Sequence, residues 1–132
     1  MLKTVWVNGC FDVIHVGHID LLEYAKSSGN RLVVGIDTDR RVKSFKGNDR
    51  PINNQQMRMK VLSALRCVDE VVLFSSDSEL VEKIRESRAE LIVVGSDYID
   101  KNVIGSDVCP VQFFQKVPDI SSTSIIEALS KK

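Results

Sequence analysis

The sequence is poor in the features that mark several large classes of protein. Its 132 residues include two histidines, three cysteines and one tryptophan, and 18 Lys and Arg residues balance 18 Asp and Glu residues. Without an excess of positive charge, there is no bulk electrostatic attraction to nucleic acid or to an anionic membrane surface. No apolar run approaches the roughly 18 residues that a transmembrane helix requires. We therefore expect no membrane insertion and no nucleic-acid partner, and any anion-binding site must be local.

Several sequence motifs are also missing. Cys10, Cys67 and Cys109 are widely spaced and odd in number, and no C-x-x-C occurs, which favours a reducing compartment. The N-terminus lacks the basic-then-apolar pattern of a signal peptide, so the expected location is the cytoplasm. Neither the H-E-x-x-H of zinc hydrolases nor the G-x-x-x-x-G-K-[ST] of P-loop enzymes is present, which argues against both classes.

Short apolar runs that alternate with helical patterns predict the fold. The runs are rich in β-branched residues and lack strict alternation, as strands covered on both faces do. The predicted strands are Thr4–Val7, Arg31–Ile36, Glu70–Phe74, Glu90–Gly95 and Val111–Phe114. Helical spacing of apolar residues predicts helices over Gly17–Lys26, Gln55–Leu65 and Ser78–Arg88. We therefore predict one α/β domain over residues 1–132, a Rossmann-like doubly wound fold with a five-stranded parallel sheet flanked by helices.

A His-x-Gly-His sequence follows the first predicted strand. His15 and His18 are the two histidines of the chain, and their spacing places them on one face at a helix start. A helix N-terminus favours an anion through its unpaired N–H groups and its dipole. One structural alternative is that one imidazole caps the helix while the other lies at the surface. Gly17 allows close backbone approach, and the strand, Gly turn and helix around the motif favour phosphate chemistry.

Three further polar segments fall at predicted strand ends or open a helix. They are the basic loop Lys43–Pro51, the Gly95–Tyr98 turn and the hydroxyl-rich Ile120–Ser124. Each has an ordinary interpretation, respectively a solvated loop, a tight turn and a helix cap. Ligands of α/β sheets bind beyond the carboxyl ends of the strands. The segments together therefore predict a shared phosphate site.

These motifs resemble those of the small nucleotidyltransferases of the cytidylyltransferase superfamily. The resemblance extends from residue 5 to about residue 129, through Gly9-Cys10-Phe11-Asp12, His15-Val16-Gly17-His18, Lys46, Arg50-Pro51, Arg58, Gly95-Ser96-Asp97-Tyr98 and Ser121-Ser122-Thr123. Two groups within that superfamily are the most similar, the D-glycero-D-manno-heptose 1-phosphate adenylyltransferases and the glycerol-3-phosphate cytidylyltransferases. The Lys-Gly-x-x-Arg-Pro-x-Asn sequence from Lys46 to Asn53 favours the first group.

The resemblance implies transfer of a nucleoside monophosphate from ATP or CTP to a phosphorylated sugar or polyol, with Mg²⁺ and release of pyrophosphate. It implies catalytic roles for His15, His18 and Lys46. Asp12 is expected to carry Mg²⁺ through the phosphates or to orient a ligand. Acceptor-phosphate contacts are expected from Arg50, Arg58 and Lys116, and nucleotide contacts from Gly9, Cys10, Phe11, Gly17, Gly95, Asp97, Ser121, Ser122 and Thr123. The expected assembly is a homodimer.

The segment Lys116-Val117-Pro118-Asp119 departs from the cytidylyltransferases, which have Arg-Thr-Glu-Gly there. A lysine offers a point charge where an arginine offers a planar fork, so this difference bears on the choice of base and acceptor. A nucleotide-binding regulator without catalysis is the alternative from another class. The presence of both histidines and Lys46 favours the enzyme.

Overall fold

The computed structural model describes residues 3–95 and 102–115. Its strands are β1 (Thr4–Gly9), β2 (Arg31–Asp37), β3 (Glu70–Phe74), β4 (Leu91–Gly95) and β5 (Val111–Phe114). Its helices are α1 (Val16–Ser27), α2 (Asp39–Lys46), α3 (Gln55–Ser63) and α4 (Asp77–Ser87). All strand pairs are parallel, in the order β3-β2-β1-β4-β5. The predicted five-stranded parallel sheet is confirmed, while the helix expected after Ile120 lies outside the described residues.

The sheet has an apolar core on each face because side chains alternate along its strands. Val5 and Val7 of β1 pack with Leu22 of α1 and Leu62 of α3. Trp6, between those valines, packs on the opposite face with α4 residues such as Ile84 and with Phe74 of β3. The sheet is thus covered by α1 and α3 on one face and by α4 on the other, which explains the near-continuous apolar runs of its central strands.

The strand order locates the ligand crevice. The chain runs outward from β1 through β2 to β3, and then continues on the other side of β1 with β4 and β5. The order reverses between β1 and β4, and α/β sheets bind their ligands beyond the carboxyl ends of the strands at such a point. The histidine motif follows β1 directly and therefore lies at this crevice.

Two elements differ from the sequence-based expectation. Strand β1 continues through Asn8 and Gly9, two residues beyond its predicted end at Val7. Helix α2 was not predicted, so the first half of the expected basic loop is helical. Thr38 caps this helix by accepting the N–H of Arg41, but Val42 is its one buried residue. The apolar periodicity of α2 is therefore too weak to reveal the helix.

The described helices also bear on membrane insertion. None of those within residues 3–95 and 102–115 combines the length and the apolar character that crossing a bilayer requires. The longest, α1, has 12 residues.

Candidate active site

A cavity of about 540 Å³ opens at the carboxyl edge of the sheet. The ends of β1, β2, β3 and β4, the start of α1, one side of α2 and the segment 102–104 form its described walls. The predicted site residues that line it are Gly9, Cys10, Phe11, Asp12, His15, His18, Lys46 and Gly95. The structure thus brings together predicted residues from three separate segments of the chain, residues 9–18, Lys46 and Gly95.

The two imidazoles cap helix α1 reciprocally. Nδ1 of His15 accepts the N–H of Gly17 at 3.0 Å, and Nδ1 of His18 accepts the N–H of His15 at 3.2 Å. Their rings stack with centroids 3.9 Å apart. Because each Nδ1 is an acceptor, each neutral ring carries its proton on Nε2. The capping half of the structural alternative is therefore correct, but both imidazoles take part in the cap, and neither is a mere surface residue.

Gly17 serves the motif by its lack of a side chain. A Cβ at Gly17 would lie 2.9 Å from Cε1 of His15, too close for any real contact. Its N–H is committed to His15, and the residue lies under that ring instead of lining the cavity. We therefore correct the expected nucleotide contact of Gly17. It positions His15.

The turn after β1 supports His18. Phe11 is buried and meets the His18 ring edge-on, with centroids 5.2 Å apart. Its backbone adopts a φ of 53°, which is uncommon for a residue with a side chain and is often found at functional sites. A Cβ at Gly9 would lie 3.1 Å from the Phe11 ring, so a glycine there gives the ring room. Gly9 therefore allows the Phe11 ring to lie where it packs against the imidazole of His18.

Cys10 lies in the cavity wall but is not an activated thiol. Burial raises the pKa of the Cys10 thiol, and the positive charges of Lys46 and Arg58 offset that rise in part. A thiol with a raised pKa is protonated at neutral pH and is a poor nucleophile. Cys10 therefore serves as a small wall residue.

Asp12 holds the 50–53 segment beside the histidine motif. Its side chain is fully buried, and its two oxygens accept the N–H groups of Ile52 at 2.9 Å and Asn53 at 2.8 Å and the Nε of Arg50 at 3.1 Å. Burial by itself would raise the pKa of Asp12, but these donors outweigh it and lower the pKa below its ordinary value. Both oxygens thus hold this segment, and the expected role of Asp12 toward Mg²⁺ stays a prediction. Asp12 anchors a loop.

Arg58 is a buried structural arginine. It is 1% exposed, and its guanidinium donates to the carbonyls of Cys10, Asp37 and Asn53 and to the carboxylate of Asp39. Those partners join the ends of β1 and β2 to the starts of α2 and α3. The expectation that Arg58 binds the acceptor phosphate is therefore wrong, because its guanidinium is buried and makes four hydrogen bonds to protein oxygens.

The two remaining basic candidates are placed differently. Lys46, in the last turn of α2, is exposed and lines the cavity. Arg50 is 12% exposed, pairs with Asp12 and is not among the described residues that line the cavity. In the described segments, Nη2 of Arg50 is buried without a hydrogen-bond partner. Lys46 is thus the predicted lysine that the fold brings to the cavity.

Sequence reasoning missed several polar and aromatic residues of the cavity wall. They are Asn8, Asp37, Arg41, Phe45, Phe74 and Asn102. Asp37 follows the apolar part of β2 directly, so the rule that strand ends carry ligand contacts could have identified it. Arg41 and Phe45 are spaced one helical turn apart on α2 and became recognisable only with that helix.

Five predicted site residues lie beyond the part of the chain that the structure describes, and the described part can be searched for a metal site. Asp97, Lys116, Ser121, Ser122 and Thr123 lie outside the described residues. Within residues 3–95 and 102–115, no group of three or more His, Cys, Asp or Glu side chains could hold a metal ion. Protein residues of the described part therefore do not form a metal cage.

Comparison with known proteins gives consistent matches. The model of the family described as cytidylyltransferase-like matches residues 6–128. The bifunctional protein HldE of Gluconobacter oxydans is 47% identical over 106 residues, which are 80% of this chain and 22% of that protein. The bifunctional protein HldE of Magnetococcus marinus is 41% identical over 133 residues, 97% of this chain and 27% of that protein. The chain thus spans about a quarter of the length of these relatives.

A solved structure supports the fold. The lipopolysaccharide core biosynthesis protein of Thermoplasma volcanium superposes with a TM-score of 0.69. The match covers 89% of this chain and 98% of that chain, at 24% sequence identity. At that identity the likeness is evidence for the Rossmann-like architecture alone.

Proposed function

The chain belongs to the cytidylyltransferase-like family, and we propose that it transfers a nucleoside monophosphate from a nucleoside triphosphate to a phosphorylated sugar or polyol. An oxygen of the acceptor phosphate forms a bond to the α-phosphorus. The bond from that phosphorus to the oxygen bridging to the β-phosphate breaks, and pyrophosphate leaves. The observation that carries the proposal is the stacked pair of His15 and His18, whose Nδ1 atoms are used in capping while both rings line the cavity.

The residues fit the electrostatic demands of this reaction. The acceptor is already an anionic nucleophile, so no strong base is required. The barrier comes from repulsion between anions and from charge that builds on the α-phosphate and the leaving group, which fixed donors and cations relieve. The Nε2 donors of His15 and His18 would supply such hydrogen bonds at a helix N-terminus, and Lys46 would supply a positive charge.

For the donor and acceptor we propose ATP and a heptose 1-phosphate. The Lys46–Asn53 sequence resembles heptose 1-phosphate adenylyltransferases, and the similarity to HldE proteins at 41–47% identity supports the same choice. Formation of CDP-glycerol from CTP and glycerol 3-phosphate is the second candidate, favoured by the resemblance to that group of cytidylyltransferases.

Magnesium enters the proposal with the nucleotide. A Mg²⁺ bound to the triphosphate would neutralise part of its charge and needs few protein ligands, because this ion keeps several waters and binds substrate phosphates. The proposal needs no direct contact between Asp12 and the ion, because both oxygens of Asp12 already hold the 50–53 segment.

We also propose a homodimer that acts in the cytoplasm. Among the described residues, the exposed large apolar side chains include Val16, Ile52, Met57 and Val61. Met57 and Val61 lie one turn apart on α3, and apolar side chains at such spacing suit a second copy of the chain.

For the proposed location in the cytoplasm, the support is the absence of a disulfide among the three cysteines.

Pyrophosphate release tests the proposal. The full chain is incubated with Mg²⁺, with ATP or CTP, and with heptose 1-phosphate or glycerol 3-phosphate. We expect release with ATP and heptose 1-phosphate. Release with CTP and glycerol 3-phosphate alone would support the second candidate, while nucleotide binding without release from any pair would support a regulator.

A further inference from the structure

The two faces of the sheet bring different chemistry to the cavity. His15 and His18 begin α1, which packs on the face of Val5 and Val7. Asn8 of β1 lies two residues beyond Trp6 and therefore on the opposite face, the face of α4. The two histidines thus line one side of the cavity. A second set of polar groups, which includes Asn8 and Asp37, lines the other side.

Asp37 is the acidic member of the second set. It ends β2, with Phe74 of β3 as its register partner, and it lines the cavity with a side chain that is 18% exposed. Its Oδ1 accepts a hydrogen bond of 2.7 Å from Nε of Arg41. That contact fixes the carboxylate while leaving Oδ2 to accept from a ligand.

Asn8 is the complementary donor. Nε1 of Trp6, a donor without acceptor capacity, donates to Oδ1 of Asn8 at 2.9 Å. This contact fixes the orientation of the amide, so the NH₂ group is the donor that Asn8 offers to the cavity. Trp6 is fully buried and held against Gly35, where a Cβ would lie 2.4 Å from its ring.

The local charge on this side suits a hydroxyl group better than a phosphate. Arg41 donates to Asp37 and also, through Nη2, to Asp77, while its guanidinium lies over the Phe74 ring. At the cavity itself the guanidinium is already paired with the Asp37 carboxylate, whose Oδ2 an incoming group would approach. A second anion would be repelled there, whereas an uncharged O–H can donate to a carboxylate and accept from an amide.

We propose that Asp37 and Asn8 bind hydroxyl groups of the acceptor and thereby select a polyhydroxylated sugar phosphate over smaller phosphates. The inference rests on the proposed function and names the side of the cavity that would recognise the acceptor. The phosphate group of the acceptor would then face His15, His18 and Lys46, while the hydroxyl groups of the acceptor face β2 and the α4 side of β1.

The test compares Asp37→Asn with Asp77→Asn. Both variants remove a carboxylate partner of Arg41, but Asp77 is 68% exposed and is not among the described residues that line the cavity. Initial rates of pyrophosphate release are measured with ATP and either heptose 1-phosphate or mannose 1-phosphate, which lacks one CHOH unit. Binding of each acceptor and of ATP is measured separately by calorimetry.

For Asp37→Asn we expect affinity and kcat/KM for heptose 1-phosphate to fall by about tenfold or more, as for loss of a charged hydrogen-bond partner. The KM for ATP should stay within about twofold, and the preference for heptose over mannose 1-phosphate should shrink. Asp77→Asn should leave all these values within about twofold. Asn8→Asp, which keeps an acceptor for Trp6, should also weaken acceptor binding.

Three results would overturn the inference. They are unchanged acceptor affinity in Asp37→Asn, equal effects in both aspartate variants, or a change confined to ATP. Unchanged acceptor affinity in Asn8→Asp would remove Asn8 from the site. If the wild type binds the sugar phosphate through Asp37 but never releases pyrophosphate, the proposed function fails while the binding site stands.

Discussion

The backbone N–H of His15 donates to Nδ1 of His18, and the two rings stack with centroids 3.9 Å apart. One side of each imidazole therefore completes the helix cap and the other side carries a proton. The same two rings therefore stabilise the start of α1 through Nδ1 and would take part in the proposed chemistry through Nε2. Substitutions can separate the capping role from the catalytic role.

His18→Ala should lower kcat by about 10²-fold or more, the loss expected for one donor to the transition state. It should also reduce the free energy of unfolding by about 1 kcal/mol, because the cap loses an acceptor. Steady-state rates and chemical denaturation check both effects. His18→Asn is the matched control, since its side-chain oxygen can replace Nδ1 but not Nε2. Stability should return while the rate stays low, and a normal rate in either variant would refute the role of Nε2.

Lys46→Ala should lower kcat/KM by about 10²-fold, because a positive charge beside the triphosphate would be lost. Lys43 offers a control on the same helix, since it is exposed and lies off the described cavity wall. Lys43→Ala should stay within about twofold of the wild type. Equal losses in both variants would indicate a general effect of charge instead of a specific contact.

Gly17→Ala should reduce kcat by about tenfold while changing stability by less than about 1 kcal/mol. An alanine favours the helix, but its Cβ would push against Cε1 of His15, and the two effects oppose each other in stability. Only the displacement of the ring affects catalysis, where small misplacements are costly. Kinetics and thermal unfolding measure the two quantities. A rate at the wild-type level would show that the position of His15 is unimportant.

Asp12→Asn should reduce the free energy of unfolding by about 2 to 4 kcal/mol at pH 7, because Arg50 loses its charged partner and the N–H groups of Ile52 and Asn53 lose a charged acceptor. The folded-state pKa of Asp12 lies below its ordinary value. The difference between wild type and variant should therefore hold above about pH 5 and shrink as the pH falls below about 4 toward the folded pKa.

Asp69→Asn provides the comparison for Asp12, because Asp69 is a more exposed carboxylate paired with Lys26. Its replacement should cost less than about 1 kcal/mol. The Mg²⁺ concentration for half-maximal rate should be unchanged in Asp12→Asn. A raised Mg²⁺ requirement with normal stability would favour the metal-ligand assignment instead of the anchoring role.

Arg58→Met should destabilise the protein by about 3 to 5 kcal/mol, because four protein oxygens lose a buried guanidinium. Arg85→Met, at an exposed position of α4, should change stability by less than about 0.5 kcal/mol. Denaturant unfolding measures both. Should Arg58→Met raise only the KM for the acceptor, Arg58 would be a phosphate ligand after all.

The sequence predicted most of the regular structure because strands and helices are encoded locally. The apolar runs of β1 to β5 and the helical spacing of α1, α3 and α4 repeat over a few residues, so their periods can be recognised without the fold. Helix α2 escaped because a single buried residue, Val42, gives it no apolar stripe.

The sequence by itself also determined the placement of His15 and His18 at a helix start beyond a strand, since a cap, a glycine and a strand end are local features. Only the tertiary structure decided what the isolated charged residues do. Asp12 meets Asn53 across 41 positions, and Arg58 meets Cys10 across 48. A charged side chain takes its role from such distant partners, because burial and hydrogen bonding decide whether it anchors a loop or faces a ligand. For the same reason Arg41 became recognisable as a wall residue only when helix α2 placed it beside Asp37 and Phe74.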